Sequence, residues 1–253
     1  ARGFAEATKI HPSDAKIALS NILRLYEENP APEVTSQHSG RVQQRVDLAQ
    51  PLRRAAGVGL YSLGAARVFE NDDAVLKSLK FASTVGAVDR DGEVRDLMIK
   101  AGIAILDSYA TDIPQLLTFL QSEMSPAKAG EDLQSYDYRH EAVVVLLGAA
   151  GKYCPADAPE VVESIVASLV EALKTPSEAV QTAVAGCIVP LVQRSKTAES
   201  TQRLLQQLLA DVLEAETYGE RRGAAFGLAA FIKGMGVAVL KQNDVMSHLR
   251  ENC

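Results

Sequence analysis

The sequence predicts an all-α protein built from tandem helical hairpins, and three observations support this fold class. The 253 residues are 47% hydrophobic but only 5% aromatic, with no Trp, so Ala, Val, Leu and Ile must fill the core. Apolar residues recur at helical spacing in several segments. One short motif also returns along the chain at a nearly constant interval, which indicates a repeat architecture.

The recurring motif is an apolar or aromatic residue followed by a basic or polar one, leading into a helix rich in small residues. Its second position is occupied in turn by Arg53, Arg95, Arg139, Gln181 and Arg221. These positions lie 42, 44, 42 and 40 residues apart, within the roughly 40–47 residues of HEAT and armadillo repeats. We therefore expect a HEAT/armadillo-type α-α superhelix (solenoid) of about five hairpins plus a partial sixth. At least nine helices and no sheet are expected.

The repeat spacing predicts a single solenoid over residues 1–253. Its repeats are expected at about 13–69, 74–110, 112–153, 157–195 and 197–236, with a partial repeat at 237–253. The stretches 29–50 and 125–135 contain Pro, Gly and Ser and are interpreted as longer turns between helices.

The fourth repeat shows the helical pattern most clearly. Four apolar residues recur every fourth position and form a stripe along one helix: Val161, Ile165, Leu169 and Leu173. Asp157 is expected to cap this helix, and Thr175 with Glu178 is expected to form a capping box for its partner. Pro190 is expected to kink that partner helix. In the second repeat, Asp91 is expected to cap a helix that starts near Glu93.

Composition limits the function classes. The net charge of −6 argues against a nucleic-acid footprint over the whole chain but leaves room for a local basic patch. Cys154, Cys187 and Cys253 show no paired spacing, which fits a reducing, cytoplasmic compartment. No 18-residue apolar run is present, so no membrane span is expected. Because the sequence begins Ala-Arg-Gly-Phe without Met, we expect it to be a piece of a longer protein.

A search for chemistry identifies no catalytic, metal or cofactor site. Gly57, Gly59 and Gly64 only superficially resemble a nucleotide-binding loop, because no strand precedes them, and close helix approach is the better interpretation. Gly234 and Gly236 are interpreted as a helix terminus. The four histidines have no short helical spacing that would place two on one metal. We therefore expect no enzyme activity and no small-molecule substrate.

The basic residues suggest a candidate binding surface. Residues 217–253 contain five Lys/Arg and three acids. The four repeat arginines, at positions 53, 95, 139 and 221, occupy equivalent positions in their helices. Two interpretations are open: each Arg supports its own turn or bonds to the adjacent hairpin, or together they form a discontinuous basic ladder. In the second case the ladder is extended by Arg222, Lys233 and Lys241 and meets RNA or an acidic partner.

Four segments, in this order, resemble a known family. They are AVVVLLG at 142–148, LKTPS at 173–177, QRLLQQLL at 202–209 and YGERRGAAFGLAAFIKGMG at 218–236. They are similar to the general-control translational activators, giant HEAT-repeat proteins that switch on the starvation-responsive kinase of translation initiation factor two. The resemblance runs from about Val94 onward. It implies a central segment adjoining the region of those proteins that is similar to elongation factor three.

The resemblance also implies partners. It implies a non-catalytic scaffold that binds the ribosome, through its RNA or protein, and an ABC-type ATPase, while other parts of the parent engage the kinase. Such a scaffold works by raising effective concentration rather than by bond chemistry. The alternative is a HEAT scaffold of another system: a phosphatase regulatory subunit, a nuclear-transport receptor or a chromosome-organising subunit.

Overall fold

The computed structural model describes residues 12–32, 47–127, 129–154, 158–195, 199–242 and 245–252. These residues form twelve α-helices and no β-strand, so the predicted all-α fold with at least nine helices is confirmed. No helix in the described part of the chain is long and apolar enough to cross a membrane. The chain divides into two compact units, residues 1–116 and 117–253.

The first unit contains four long helices. They are α1 (Pro12–Glu27), α2 (Gln50–Ala66), α3 (Asp72–Lys80) and α4 (Gly92–Tyr109). Helix α3 continues into a π-helical turn at Phe81–Val85 and a 3₁₀ turn at Gly86–Val88. Helix α1 packs on α2, α3 packs on α4, and α2 makes its most extensive contact with α4. The unit is therefore two hairpins whose second helices lie side by side.

The second unit repeats this arrangement. After α5 (Gln115–Ser122), which begins just before the unit boundary, come α6 (Leu133–Ala150), α7 (Pro159–Ala172), α8 (Glu178–Ser195), α9 (Glu199–Glu214), α10 (Tyr218–Met235), α11 (Ala238–Gln242) and α12 (Val245–Asn252). Helices α7 and α8 form one hairpin, and α9 and α10 form the next. The second helices α6, α8 and α10 pack in a row, and α7 packs on α9. The predicted repeat boundaries remain a prediction.

Close helix approach depends on small residues, as the glycine pattern predicted. A Cβ added to Gly57 would lie 3.0 Å from the Cβ of Leu97, and one on Gly64 would lie 2.9 Å from Cγ1 of Ile105. Gly236, with a φ of +97°, ends α10, as expected for a helix terminus. Gly57 and Gly64 thus allow α2 to approach α4 more closely than larger side chains would permit.

Helix capping follows the predictions in part. The Asp91 carboxylate accepts from the Val94 N–H at 3.0 Å, as predicted. The N-cap of α7 is Ala158 without a side-chain cap, and the predicted cap, Asp157, lies outside the described residues. The predicted capping box at Thr175 is wrong, because α8 begins only at Glu178 and Thr175 Oγ1 accepts instead from the Ser177 N–H at 3.5 Å.

The capping box of this unit lies one hairpin later. On α10, Thr217 Oγ1 accepts from the Glu220 N–H at 3.1 Å and Glu220 accepts from the Thr217 N–H at 3.0 Å. Helix α8 runs through Pro190 without ending there. Successive helices are therefore separated at the turns, and Pro190 lies within a continuous helix.

Candidate macromolecule-binding surface

The first repeat arginine, Arg53, lies inside the first unit rather than on its surface. Only 1% of it is exposed. Its Nε donates to Asp89 Oδ2 at 2.7 Å and its Nη2 donates to Asp47 Oδ2 at 2.5 Å. The Tyr26 hydroxyl also donates to Asp89 Oδ2, at 2.7 Å. Arg53 thus joins the turn before α2 to the turn of the following hairpin.

The charges of this cluster reinforce one another. Burial opposes the charged form of Arg53, but its hydrogen bonds with Asp47 and Asp89 prevail and raise its pKa. The same contact holds the pKa of Asp47 below its ordinary range. Burial, together with the bond to Asp89, raises the pKa of Tyr26. At neutral pH Arg53 is therefore a cation beside the Asp47 carboxylate, and Tyr26 is a neutral phenol.

Arg139 occupies the equivalent position in the second unit and is equally buried, with 1% exposure. It binds both carboxylate oxygens of Glu131, each at 2.8 Å, and donates to the Glu123 carbonyl at 2.8 Å. The Tyr136 ring lies under its guanidinium, 5.5 Å from the ring centroid. This bidentate pairing ties α6 to the segment that precedes it.

Gln181 replaces Arg in the fourth repeat and uses a neutral amide for the same task. It is fully buried, and its Nε2 lies within hydrogen-bond distance of the carbonyls of Leu173 (3.0 Å), Thr175 (2.6 Å) and Gly219 (2.8 Å). A Cβ on Gly223 would lie 2.0 Å from the Leu173 carbonyl oxygen and 2.7 Å from Gln181 Nε2. Glycine at 223 is therefore required for α10 to approach this turn.

The two remaining repeat arginines bond to their own turns. Arg95, half-buried, donates to the carbonyls of Asp89 (2.7 Å) and Arg90 (3.1 Å). Arg221, which is exposed, donates to the Ala215 carbonyl at 2.8 Å. All five equivalent positions thus reach back to the turn of their own hairpin, in agreement with the first of the two interpretations.

The contacts of Arg53, Arg139 and Arg222 exclude these three residues from the predicted basic ladder. Arg53 and Arg139 cannot contact phosphate, because both are buried and each is neutralised by carboxylates of its own unit. Arg222 is a framework residue, since it donates to Gln181 Oε1 (2.8 Å), Glu178 (3.0 Å) and the Pro176 carbonyl (2.8 Å). The acidic partners of Arg53 and Arg139 were not predicted, although one acid lies in the turn before each of them, Asp47 and Glu131.

An exposed basic face remains on the last long helix. Arg221, Ala225, Ala229 and Lys233 are all exposed at four-residue intervals on α10, so they form one stripe. Its two cations are about 18 Å apart along the helix. Lys233 and the exposed Lys241 of α11 have no ion-pair partner among the described residues. This α10 stripe can bind phosphate or carboxylate groups by long-range attraction and salt-sensitive contacts.

The structure brings together no metal-binding cluster in its described part. No group of three or more His, Cys, Asp and Glu residues there could hold a metal ion. Burial raises the pKa of the Cys154 and Cys187 thiols, that of Cys187 to about 11. These two thiols are therefore protonated at neutral pH and act as small apolar groups.

Comparisons with known proteins identify relatives of this chain. The family model "Stalled ribosome sensor GCN1, HEAT repeats" matches residues 1–152. "Protein ILITYHIA" of Arabidopsis thaliana is 33% identical over 251 residues, and human "Stalled ribosome sensor GCN1" is 31% identical over 260 residues. Each alignment covers 99% of this chain but 9% of the relative. "eIF-2-alpha kinase activator GCN1" of Dictyostelium discoideum is 29% identical over 254 residues. No solved structure matches the chain.

Proposed function

The chain belongs to the GCN1 family of HEAT-repeat proteins, and from this membership we propose that it is a non-catalytic scaffold segment contributing a ribosome contact to its parent protein. Family membership places it with GCN1 rather than with phosphatase, nuclear-transport or chromosome-organising scaffolds. Because the chain spans about 9% of the length of these relatives, the parent's other partners belong to this proposal as well.

The names of the relatives support this function at the level of the whole protein. The human relative is named a stalled ribosome sensor, and those of Dictyostelium and yeast are named eIF-2-alpha kinase activators. We propose that the parent of this chain acts in the same way in the cytoplasm, activating the kinase during amino-acid starvation. An ABC-type ATPase is the further partner that we propose.

The observation that carries the ribosome contact is the α10 stripe with Lys241. Arg221, Lys233 and Lys241 are the sequence-predicted basic residues that are exposed in the structure. Three cations on a chain of net charge −6 give only a weak contact with RNA phosphates. The parent, with many such segments, would supply the remaining affinity through multivalency.

Charge reversal in the full-length parent tests this function. We expect Arg221→Glu, Lys233→Glu and Lys241→Glu together to reduce cosedimentation with purified ribosomes by about tenfold and to flatten its salt dependence. Arg222 stays unchanged, because it bridges two hairpins. Helicity should be unaffected, since all three side chains are exposed.

A matched control changes the same charge elsewhere. Lys16, Lys77 and Lys100 are exposed residues of the first unit, and their replacement by Glu should leave cosedimentation nearly unchanged. If both triple variants bind ribosomes as the wild type does, the α10 stripe is ordinary solvated surface. If both lose binding equally, the attraction depends on net charge and not on this stripe.

A further inference from the structure

The second unit contains a cavity that the basic stripe does not use. Its volume is about 730 Å³, within the range of roughly 300–1,000 Å³ that ligand sites occupy. It lies between α6, α7 and the segments that follow α5 and α7. Hydroxyl and apolar side chains both line it, among them Ser122, Met124, Pro126, Ser168, Thr175 and Pro176, and Glu171 and Lys174 contribute one charge of each sign. The wall is therefore amphipathic, and no single charge dominates it.

His140 of α6 forms part of this wall and is polar without a protein partner. It is 4% exposed, and neither ring nitrogen has a hydrogen-bond partner among the described residues. One turn earlier on α6, Asp137 Oδ1 is also buried and unpartnered. Buried polar atoms are nearly always hydrogen-bonded, because an unmade bond leaves the desolvation cost uncompensated. An apolar side chain at 140 would avoid this cost, so the imidazole requires another explanation.

The charge state of His140 restricts what it can bind. Burial, together with the nearby Arg139 guanidinium, lowers its pKa to about 4. At neutral pH the ring is therefore uncharged and offers one N–H donor and one nitrogen acceptor. An amide group offers the complementary pair, one acceptor and one donor. A phosphate offers only acceptors and favours a cationic partner, which this imidazole is not.

The nearest cation at the rim is also engaged. Lys174 Nζ lies 2.7 Å from Glu171 Oε2, and Asp211 and Glu220 add further negative charge around it. The Lys174 ammonium is therefore neutralised by its own unit. The cavity as a whole favours an uncharged polar ligand over a polyanion.

We propose that this cavity is a binding site for an extended polypeptide segment of a ribosomal protein, which places a backbone or Asn/Gln amide against His140. This rests on the proposed ribosome contact and adds protein recognition to it. Both ring nitrogens are buried in the structure, and the centroid of the Tyr136 ring lies 5.1 Å from that of the imidazole. Binding therefore includes rotation of the Tyr136 or His140 side chain toward the cavity, a rapid motion of the rotamer type.

Site-specific crosslinking in the full-length parent on purified ribosomes tests the proposal. A photoreactive residue replaces the exposed cavity residue Ser122, and a second one at the exposed Thr182 of α8 serves as the control position. We expect position 122 to crosslink to one ribosomal protein, identified by mass spectrometry and insensitive to ribonuclease. Position 182 should not give that product.

Substitutions at two cavity residues then test whether the crosslinked product depends on the cavity. His140→Phe removes both ring nitrogens and should raise the unfolding temperature while reducing the crosslink at least tenfold, whereas His140→Gln keeps a donor and an acceptor and should retain it. Ser168→Trp fills the cavity from α7 without altering the core and should abolish the crosslink even if His140→Phe does not fold.

The outcomes separate this inference from the proposed function. A crosslink to RNA, no crosslink from a parent that still cosediments with ribosomes, or a product unchanged in His140→Phe and Ser168→Trp overturns the polypeptide site alone. A parent that does not cosediment at all overturns both the ribosome contact and this site.

Discussion

Two turns of this chain are stabilised by side chains at the same repeat position but with different chemistry. In the first unit, the turn before α2 is held by the Arg53 guanidinium between the carboxylates of Asp47 and Asp89. In the second unit, the turn before α8 is held by the Gln181 amide among three backbone carbonyls. The charged solution needs acids supplied by two separate turns. The neutral amide binds backbone oxygens and accepts from Arg222 Nε at 2.8 Å, and it needs Gly223 to let the next helix approach.

The difference shows what the repeat position requires. The shared requirement is a side chain long enough to reach the turn and rich in N–H donors, because the turn exposes oxygen acceptors. Positive charge at the repeat position itself is secondary, since Gln181 performs the task as a neutral amide while Arg222 contacts the same turn from the next hairpin. The two turns should therefore differ in how much stability is lost when the central residue is removed.

The largest effect is expected at the charged turn. Arg53→Ala leaves the buried Asp89 and the half-buried Asp47 without their cation, which should cost about 3–5 kcal/mol of unfolding free energy. Denaturant unfolding of the chain measures this loss. Arg54→Ala is the matched control. The Arg54 guanidinium pairs with Glu93 at the exposed surface, so its removal should cost less than about 1 kcal/mol of unfolding free energy. Equal losses in the two variants would contradict a special role for the buried pair.

Acid should distinguish the two units next. The pKa of His140 is about 4 in the folded second unit against an ordinary 6.5, so the unfolded chain takes up the proton first. The second unit should lose up to about 3 kcal/mol as the pH falls from 6.5 to 4. The pKa of Asp47 lies below its ordinary 3.8, so the Arg53 turn should lose its contribution only as the pH falls below that value.

Hydrogen exchange read by mass spectrometry, corrected for intrinsic rates, measures the two units separately. Between pH 6.5 and 4 the amides of α6 and α7 should lose protection before those of α2 and α4. His140→Phe is the control that should remove this early loss. Uniform loss of protection in both units over this range would show that His140 does not govern acid sensitivity.

The smallest of the three effects is expected at the neutral turn. Gln181→Ala leaves backbone carbonyls unpaired but no buried charge, so it should cost about 1–3 kcal/mol. Gln193→Ala on the same helix is the control, because Gln193 is exposed and its removal should change stability by less than about 0.5 kcal/mol. A loss at Gln181 as large as that at Arg53 would erase the distinction between the two turns.

Much of the fold follows from local sequence. The stripe of Val161, Ile165 and Leu169 predicted α7, and the Asp91 cap predicted the start of α4, because both depend on residues within a few turns of one another. The regular repeat interval, 42 residues from Arg139, also placed Gln181 at the position that the arginines occupy. Side-chain periodicity and capping are short-range properties, so a single sequence is enough to predict them.

Burial of the arginines could not be predicted in this way. Arg53 is buried because Asp89, 36 residues later, binds it from another hairpin. The sequence alone does not show that these two residues are close in space. Arg221 occupies the same repeat position and stays exposed. The capping box at Thr175 fails for a local reason instead, because α8 begins only at Glu178 and the Ser177 carbonyl accepts its first helical bond, from the Gln181 N–H at 3.1 Å. The burial or exposure of these arginines depends on long-range partners and not on the local sequence pattern.

The arginines of the first unit have a consequence for the segment between α1 and α2. Arg90 donates to the Pro32 carbonyl at 2.7 Å and Arg53 binds Asp47, so both ends of the stretch 33–46 are fastened to the same folded unit. The positions of Pro32 and Asp47 are therefore each set by an arginine of the folded unit, so the ends of α1 and α2 are held in place independently of the number of residues between them.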